Sequence, residues 1–595
     1  MGSGAVRIER HQVDGAAVAA AREDFVDRIG GRVRSMSRAG RMATNEWRAI
    51  SGEFLDYLGA LSVESPDLRT PEAEAVVRAA AEAAAGAVAF AGCHPHRPFS
   101  VFLDYVGFGM SYDPCDEDAS DGPEESVGAA AWTDALCLAV LAGRAGRHGE
   151  AFRSARRKFA GRAVADAAGE FATGLMAVVF GDTGDDGGRP AGAPAELAAV
   201  DAAPARPRAR AEESCGGLLD RPHGVALRTL RALAAEDREA FDSGMAALLA
   251  AHRELSGPGS APSSLLPLVP LGLAALAYRN LGWAPALDTG YLPGALVDGF
   301  ATAGPRVGGF GRDRRPDAVA ALAAGPLAVG RPVQEWPMTA QTRARAERRT
   351  REALDPADGA APSAWRLGDV LRDQDMLFKG RAALADDVTD AQWENLRLAS
   401  RAGAALFRVA LAEPGTVTEV AIAGRTLRYP AERSREAGAG AWAKAVALAL
   451  ITGEREDLAP LVLAGPAAVR PDTGRFAAYR EALHAHLRGA DAGPATERAL
   501  REAGKDGGSA VPAPPAVLLS QLVGGDEESF NLALADALEA HRDHFQVADR
   551  ADGPDAAVSL DVLALACHAR RRGWDVRVRS PYLPGRLLEA AALRP

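Results

Sequence analysis

The chain has 595 residues, of which 48% are hydrophobic and 6% aromatic, so it carries enough apolar material for large cores and wholesale disorder is excluded. Its frequent alanine and leucine favour helix, because alanine loses no side-chain entropy there. The formal net charge of −11 argues against general nucleic-acid binding, which needs a clustered excess of basic residues.

Within residues 1–303, an apolar periodicity predicts two antiparallel helices with a short break at 234–236. The apolar and ring-bearing residues of one face recur every three or four positions: Leu227, Leu230, Leu233, Phe241, Met245, Leu248 and His252. Ahead of this pair we expect three loops. They are an aromatic segment with several glycines (102–114), an acidic loop (115–126) and an insertion rich in glycine, proline and alanine (181–207).

A segment of different composition follows the first module. Residues 304–317 are glycine-rich and basic, and residues 341–351 form a basic stretch of helical composition. We therefore predict a connector over residues 304–365 that has no counterpart in either half of the chain.

The second module, residues 366–595, contains the clearest strand signal. The sequence EVAIAGRTLR (419–428) alternates apolar and polar residues around Gly424, as a short hairpin does. Further on, Gly524 and Gly525 break a helix, and three acidic residues at 526–528 begin the next one, because carboxylates cap free N–H groups and complement the helix dipole.

The two modules resemble each other along their whole length. Matching positions follow in the same order in both halves: Phe90 and Phe407, Trp132 and Trp442, Phe241 and Phe530, Gly282-Trp283 and Gly573-Trp574, and the YLPG sequences at 291–294 and 582–585. Composition alone explains one alanine-rich match but not GW followed by YLPG in both halves. We therefore predict an all-α fold of two diverged copies of a helical-hairpin module packed together, with at most a minor β-hairpin.

The sequence contains no complete motif for catalysis or metal binding. The cluster Cys93-His94-Pro95-His96 has no second pair at zinc-finger spacing, and GMSYD (109–113) approaches a nucleophile elbow but ends in aspartate. His252 and His541 match between the copies, which favours a packing or helix-end role. We expect no metal and no cofactor, and the catalytic residues of any enzyme remain unknown.

The cysteines and the apolar segments indicate a compartment. The five cysteines are scattered without a CxxC pair, which predicts reduced thiols in a cytoplasmic protein. No signal peptide is expected before Gln12, and the most apolar run, 265–278, is too short to span a bilayer. We therefore expect neither a membrane nor a nucleic acid as partner.

Two patches are the candidate binding sites. The candidate residues are Tyr105, Met110, Tyr112 and Asp113 in the first patch, and Arg312, Arg314 and Arg315, beside Arg306, in the second. Aromatic residues on a glycine-flexed loop are typical of recognition surfaces, although packing between helices is an equal alternative. Clustered arginines bind carboxylates or phosphates, although a solvated linker has the same composition.

Several segments resemble the immunity 49 family of actinobacteria. They are FLDYLGALSVESPDLRTPEAEA (54–75), FLDYVGFGMSYDP (102–114), FGRDRRPDA (310–318), LASRAGAALFRVALAEPG (398–415) and ESFNLALADALEAHRDH (528–544). The resemblance extends from about Arg7 to the end, and it is to the long members of the family. It implies a mostly helical protein that binds and neutralises a toxin domain of a polymorphic toxin system. The family brings no established catalytic residues to transfer.

The resemblance and the negative charge favour a cytoplasmic immunity protein whose partner is a basic cognate toxin, since complementary fields speed association. One alternative is an enzyme or small-molecule binder of a specialised-metabolite or stress locus, with a pocket between the copies that holds both patches. Another is an adaptor whose stacked helix pairs form a docking surface.

Overall fold

The computed structural model divides the chain into two compact units, Met1–Thr302 and Ala303–Pro595. The structure describes residues 6–40, 42–114, 125–160, 167–182, 195–203, 222–300, 304–334, 337–355, 363–385, 387–432, 434–466, 473–505 and 512–592. Most of the predicted acidic loop (115–126) and of the predicted insertion (181–207) lies outside the described residues.

The first unit is mostly helical. Its helices are α1 (Gly15–Arg22), α2 (Phe25–Ala39), α3 (Thr44–Glu64), α4 (Pro71–Cys93), α5 (Ala129–Leu141), α6 (Gly149–Ala160), α7 (Ala167–Phe180), α8 (Pro222–Ala234), α9 (Arg238–Leu255), α10 (Leu268–Leu281) and α11 (Gly294–Asp298). The predicted antiparallel pair corresponds to α8 and α9, which pack against each other.

Helix α4 forms the centre of this unit. Thr70 caps it by accepting a hydrogen bond from the Ala73 amide, and Pro71 begins it with a preset backbone angle. Gly86 allows close packing, because a Cβ there would lie 3.1 Å from the indole of Trp47. The long alanine-rich run thus becomes a core helix that α3, α5 and α6 surround.

Two helical stretches, 71–93 and 262–281, are long and apolar enough by length and composition to cross a membrane. In the first, 94% of the apolar window is buried inside the unit, and in the second 61% is buried. The apolar face of each is therefore largely used for packing within the protein.

The second unit repeats this arrangement. Its helices are α12 (Pro316–Ala324), α13 (Ala340–Leu354), α14 (Ala364–Ala382), α15 (Asp390–Ala410), α16 (Ala439–Thr452), α17 (Arg455–Ala464), α18 (Arg475–Leu487), α19 (Gly493–Ala503), α20 (Ala516–Gly524), α21 (Glu527–Phe545), α22 (Pro554–Ala557), α23 (Leu560–Arg571) and α24 (Gly585–Ala592). The predicted mostly all-α fold is confirmed.

Each unit also contains an antiparallel hairpin. In the second unit β6 (Val417–Ile422) pairs with β7 (Arg425–Pro430), which confirms the predicted hairpin around Gly424. In the first unit β2 (Phe99–Leu103) pairs with β3 (Phe108–Tyr112). The expectation of a flexible aromatic loop at 102–114 is therefore wrong. Its glycines interrupt the period-two pattern and hide the strands from a sequence-based prediction.

Each unit also contains a short pair of parallel strands. In the first unit β1 (Val6–Ile8) pairs with β4 (Leu287–Thr289). In the second unit β5 (Leu327–Ala328) pairs with β8 (Val578–Arg579). The described strands therefore exceed the single minor hairpin that we expected, although each pair is small.

The predicted connector, 304–365, is built into the second unit. Helix α13 lies in it and packs on α14, and β5 lies in it and repeats the role of β1. Four residues of α13 are buried, namely Ala346, Thr350, Ala353 and Leu354. This narrow stripe is hard to recognise in the sequence because arginine and glutamate fill the rest of the helix.

The corner that follows α10 is repeated after α23. Gly282 and Gly573 both adopt positive φ, at 68° and 86°, where glycine avoids the strain that a side chain would cause. The next residue packs on an aromatic ring of the preceding helix pair: Trp283 lies 5.9 Å from Phe241, and Trp574 lies 5.4 Å from Phe530. The two copies thus use the same anchors.

Candidate binding surfaces

The two tyrosines of the aromatic patch belong to the core of the first unit. The Tyr105 hydroxyl donates a 2.6 Å hydrogen bond to Glu72, and its ring meets Phe54 edge-on. Burial and the neighbouring Glu72 carboxylate raise the pKa of Tyr105. Tyr112 is also buried, and its hydroxyl donates to the Pro95 carbonyl at 3.3 Å. Neither ring is available for recognition.

Met110 and Asp113 remain nearer the surface. Met110 is half-buried in β3, and Asp113 is exposed just after that strand. The exposed face of β3 carries only the small residues Gly109 and Ser111. The structure therefore brings the four predicted residues into one hairpin, but packing inside the unit accounts for its aromatic side chains.

The arginine patch lies in the second unit, and most of its charges are paired there. Arg306 donates to Asp536 at 2.8 Å and to Glu539 at 2.6 Å, and these partners raise its pKa. Arg314 donates to Glu528 at 2.6 Å, and Arg315 to Asp317. These arginines hold the segment to α21 and α12, so their ion pairs engage donors that the predicted anion site would use.

Between these arginines the chain projects a tip, which we define as residues 308–313. A bridge between Val307 and Arg314 closes its base. Inside the tip the Gly311 amide donates to the Gly308 carbonyl at 2.8 Å. The side chain of Gln521 donates to the Gly311 carbonyl at 3.0 Å. These bonds fix the backbone of the tip against α20.

The tip exposes three side chains, those of Phe310, Arg312 and Asp313. Phe310 is 68% exposed. Arg312 is 79% exposed and meets Glu497 only at 4.0 Å. Phe310 was not among the predicted residues, although a phenylalanine between glycines in GGFGR is the signal that could have found it. Of the predicted arginines, Arg312 alone stands clear of short ion pairs with the described residues.

A cleft of about 390 Å³ opens in the first unit, and sequence reasoning missed it. Leu55, Leu248 and Leu266 are among the apolar residues of its walls, and Asp134 and His252 are among its polar residues. The surrounding protein raises the pKa of Asp134 to about 6, because the walls remove much of the water that would solvate its charge. The lining comes from five separate segments of the chain, so no local motif marks it.

In the second unit the corresponding positions carry an ionic network. Lys444 occupies the position of Asp134, two residues after the matched tryptophan, and its ammonium lies 2.5 Å from Asp375. Lys379 bridges Asp375 and Asp555 at 2.8 Å each. Two lysines and two aspartates therefore hold one another there.

The cluster 93–96 serves packing. His94 is buried and its ring stacks on Phe90 at 4.6 Å. Burial raises the pKa of the Cys93 thiol. Across the part of the chain that the structure describes, no group of three or more histidine, cysteine, aspartate or glutamate residues is arranged to hold a metal ion.

Comparison with known proteins gives one assignment. No curated protein and no solved structure matches the chain. The family model described as immunity protein 49 matches it twice, over residues 65–296 and 385–587. With two matches that together cover most of its residues, the chain belongs to the immunity protein 49 family and carries that family's module twice.

Proposed function

We propose that the chain neutralises a cognate toxin domain by binding it in the cytoplasm. The observation that carries the proposal is the presence of two immunity protein 49 modules in one chain. Neutralisation by binding requires a specific and stable interface with the toxin domain. A scaffold of packed helices with a fixed, exposed recognition element meets that requirement.

We place one contact with the toxin at the tip, residues 308–313. Phenylalanine and arginine combine a large apolar area with a planar donor group, and arginine and aromatic residues are enriched at interface hot spots. The tip backbone is held by hydrogen bonds to itself and to Gln521. Binding therefore orders little more than the exposed side chains of the tip, which limits the entropy lost on association.

The charge of the chain favours a basic toxin. A net charge of −11 creates a field that attracts a cationic partner and raises the association rate at low salt. Many toxins that act on nucleic acid are basic for the same electrostatic reason. The proposal thus includes a salt dependence: the association rate constant falls as ionic strength rises.

The test uses purified full-length chain and each toxin domain encoded beside its gene, inactivated by substitution. Isothermal titration calorimetry should show tight binding to one of them, and Phe310→Ala or Arg312→Ala should weaken it by about 10-fold or more. Leu463→Ala and Arg345→Ala are the matched controls, because Leu463 is 87% exposed and Arg345 is exposed, both in the same unit. Absence of binding to every such toxin would overturn the proposal.

A further inference from the structure

The cleft of the first unit has the anatomy of a ligand pocket. Its volume of about 390 Å³ lies within the usual range for small-molecule sites. Leucine, valine and proline side chains supply most of its lining, while Asp134 supplies a carboxyl group. An apolar wall that carries one carboxyl group, beside the imidazoles of His223 and His252, favours ligands that combine an apolar body with a positive charge.

Asp134 makes no hydrogen bond or ion pair with any residue that the structure describes. Arg48 acts on it only through a longer-range attraction that is weaker than the cost of desolvation. His252, which also lines the cleft, already donates its ring N–H to the Ser264 carbonyl at 2.7 Å. Asp134 is exposed in the cleft, so its carboxylate is an acceptor that a cationic ligand can reach.

The second unit carries Lys444 at the position that matches Asp134, and there lysines and aspartates pair with one another. Lys379 and Asp375 lie on α14, the helix that packs on α15 as α3 packs on α4. In the first unit a Cβ on Gly59 would lie 2.1 Å from the Pro262 carbonyl, so no longer side chain fits there. In the second unit, Lys379 and Lys444 thus pair with the Asp375 carboxylate. In the first unit, the Asp134 carboxylate lines an open cleft.

We propose that the cleft of the first unit binds a small organic cation: an ammonium or guanidinium group attached to an apolar body. The cationic group lies against Asp134, and the body packs on Leu55, Leu248 and Leu266. This cleft belongs to the first unit and the tip to the second, so ligand binding in the cleft can be tested independently of toxin binding at the tip.

The experiment titrates the full chain with hexylguanidinium and, as a neutral isostere, with hexylurea. Calorimetry should show saturable one-to-one binding of hexylguanidinium and binding of hexylurea that is about 10-fold weaker or undetectable, since a hydrogen bond to a charged group is lost. Asp134→Asn should weaken the binding of hexylguanidinium by a similar factor. Ala251→Phe, which places a ring in the cleft, should weaken the binding of both ligands. Circular dichroism checks that both variants are folded.

Equal binding of the cation and the urea would overturn the proposal, and so would unchanged affinity in Asp134→Asn or no saturable binding. A third ligand, acetyl-leucyl-arginyl-leucine amide, separates a small cation from a basic side chain on a polypeptide. Tighter binding of this peptide than of hexylguanidinium would also contradict the assignment, because the cleft would then be a docking site for a protein partner.

Discussion

The indole nitrogen of Trp132 donates a 3.0 Å hydrogen bond to the backbone carbonyl of Phe152. Trp442 makes the same bond to the carbonyl of Leu461 at 2.9 Å. Both tryptophans are fully buried in their units. A buried indole N–H needs a partner, so each copy has kept the same acceptor in the helix that follows.

Trp442→Phe should destabilise the second unit, because it removes the indole donor to the Leu461 carbonyl, which keeps only its bond from the Gly465 amide, and because it opens a small void. The expected loss in the free energy of unfolding is about 2–3 kcal/mol. Urea denaturation followed by circular dichroism measures it. Trp365→Phe is the control, since Trp365 is 50% exposed and should change stability little. A loss no larger than that of the control would contradict the structural role of the indole bond.

A second repeated contact joins α10 to the end of α5. The guanidinium of Arg279 donates to the carbonyls of Val140 and Leu141, and Arg571 donates to those of Leu450 and Ile451 in the second unit. Arginine can satisfy two helix-end carbonyls at once because its donors form a planar fork.

Arg279→Lys should therefore lower the free energy of unfolding by about 1–2 kcal/mol, since one of the two carbonyls loses its donor. Thermal unfolding by calorimetry provides the measurement. Arg253→Lys, at an exposed position on α9, serves as the comparison. Equal melting temperatures of the two variants would show that the Arg279 guanidinium does not stabilise this contact more than a lysine does.

The ionic network of the second unit gives a third prediction. Lys379 is buried and bonded to Asp375 and Asp555, and these charges raise its pKa against the opposing effect of burial. Lys379→Met leaves Asp375 with one cation fewer and should cost about 3 kcal/mol, because an incompletely paired charge stays buried.

The double variant Asp375→Leu with Lys379→Met should recover most of that loss, since both charges leave together. Lys505→Met, which removes an exposed ion pair with Glu502, is the matched control and should cost little. Equal stability of the single variant and of this control, both measured by urea denaturation, would show that the network does not stabilise the unit.

The pKa of Asp134, raised to about 6 in the folded chain, predicts a pH dependence of stability. The folded state binds more protons than the unfolded state between pH values of about 4 and 6, so stability falls as the pH rises through that window. At higher pH, Asp134 is ionised in both states, and the free energy of unfolding is reduced by the full cost of desolvating its charge. The penalty is on the order of 1 kcal/mol, because water in the cleft screens the charge.

Asp134→Asn removes this penalty. At pH 7 the variant should unfold at a slightly higher urea concentration than the unmodified chain, and at pH 4 the difference should vanish. Unfolding curves at four or five pH values provide the measurement. A difference that is constant with pH, or that has the opposite sign at pH 7, would mean that the Asp134 pKa is not raised.

Local patterns in the sequence predicted the α8–α9 pair and one hairpin, because apolar periodicity and the alternation at 419–428 are properties of neighbouring residues. Long-range contacts were not predictable in this way. The Arg306–Asp536 pair joins residues 230 positions apart, and it turns an expected connector into part of a unit. Tyr105 looked like a recognition residue until its partner Glu72, on another helix, was known.

A growth assay in cells measures whether the chain neutralises a toxin. Each toxin domain encoded beside the gene is expressed alone, with the full chain, and with the chain carrying Phe310→Ala and Arg312→Ala. We expect the chain to restore growth against one toxin and the double variant to protect measurably less, while the chain carrying Leu463→Ala and Arg345→Ala protects fully. Growth arrest that persists with every toxin, despite soluble expression of the chain, would contradict it.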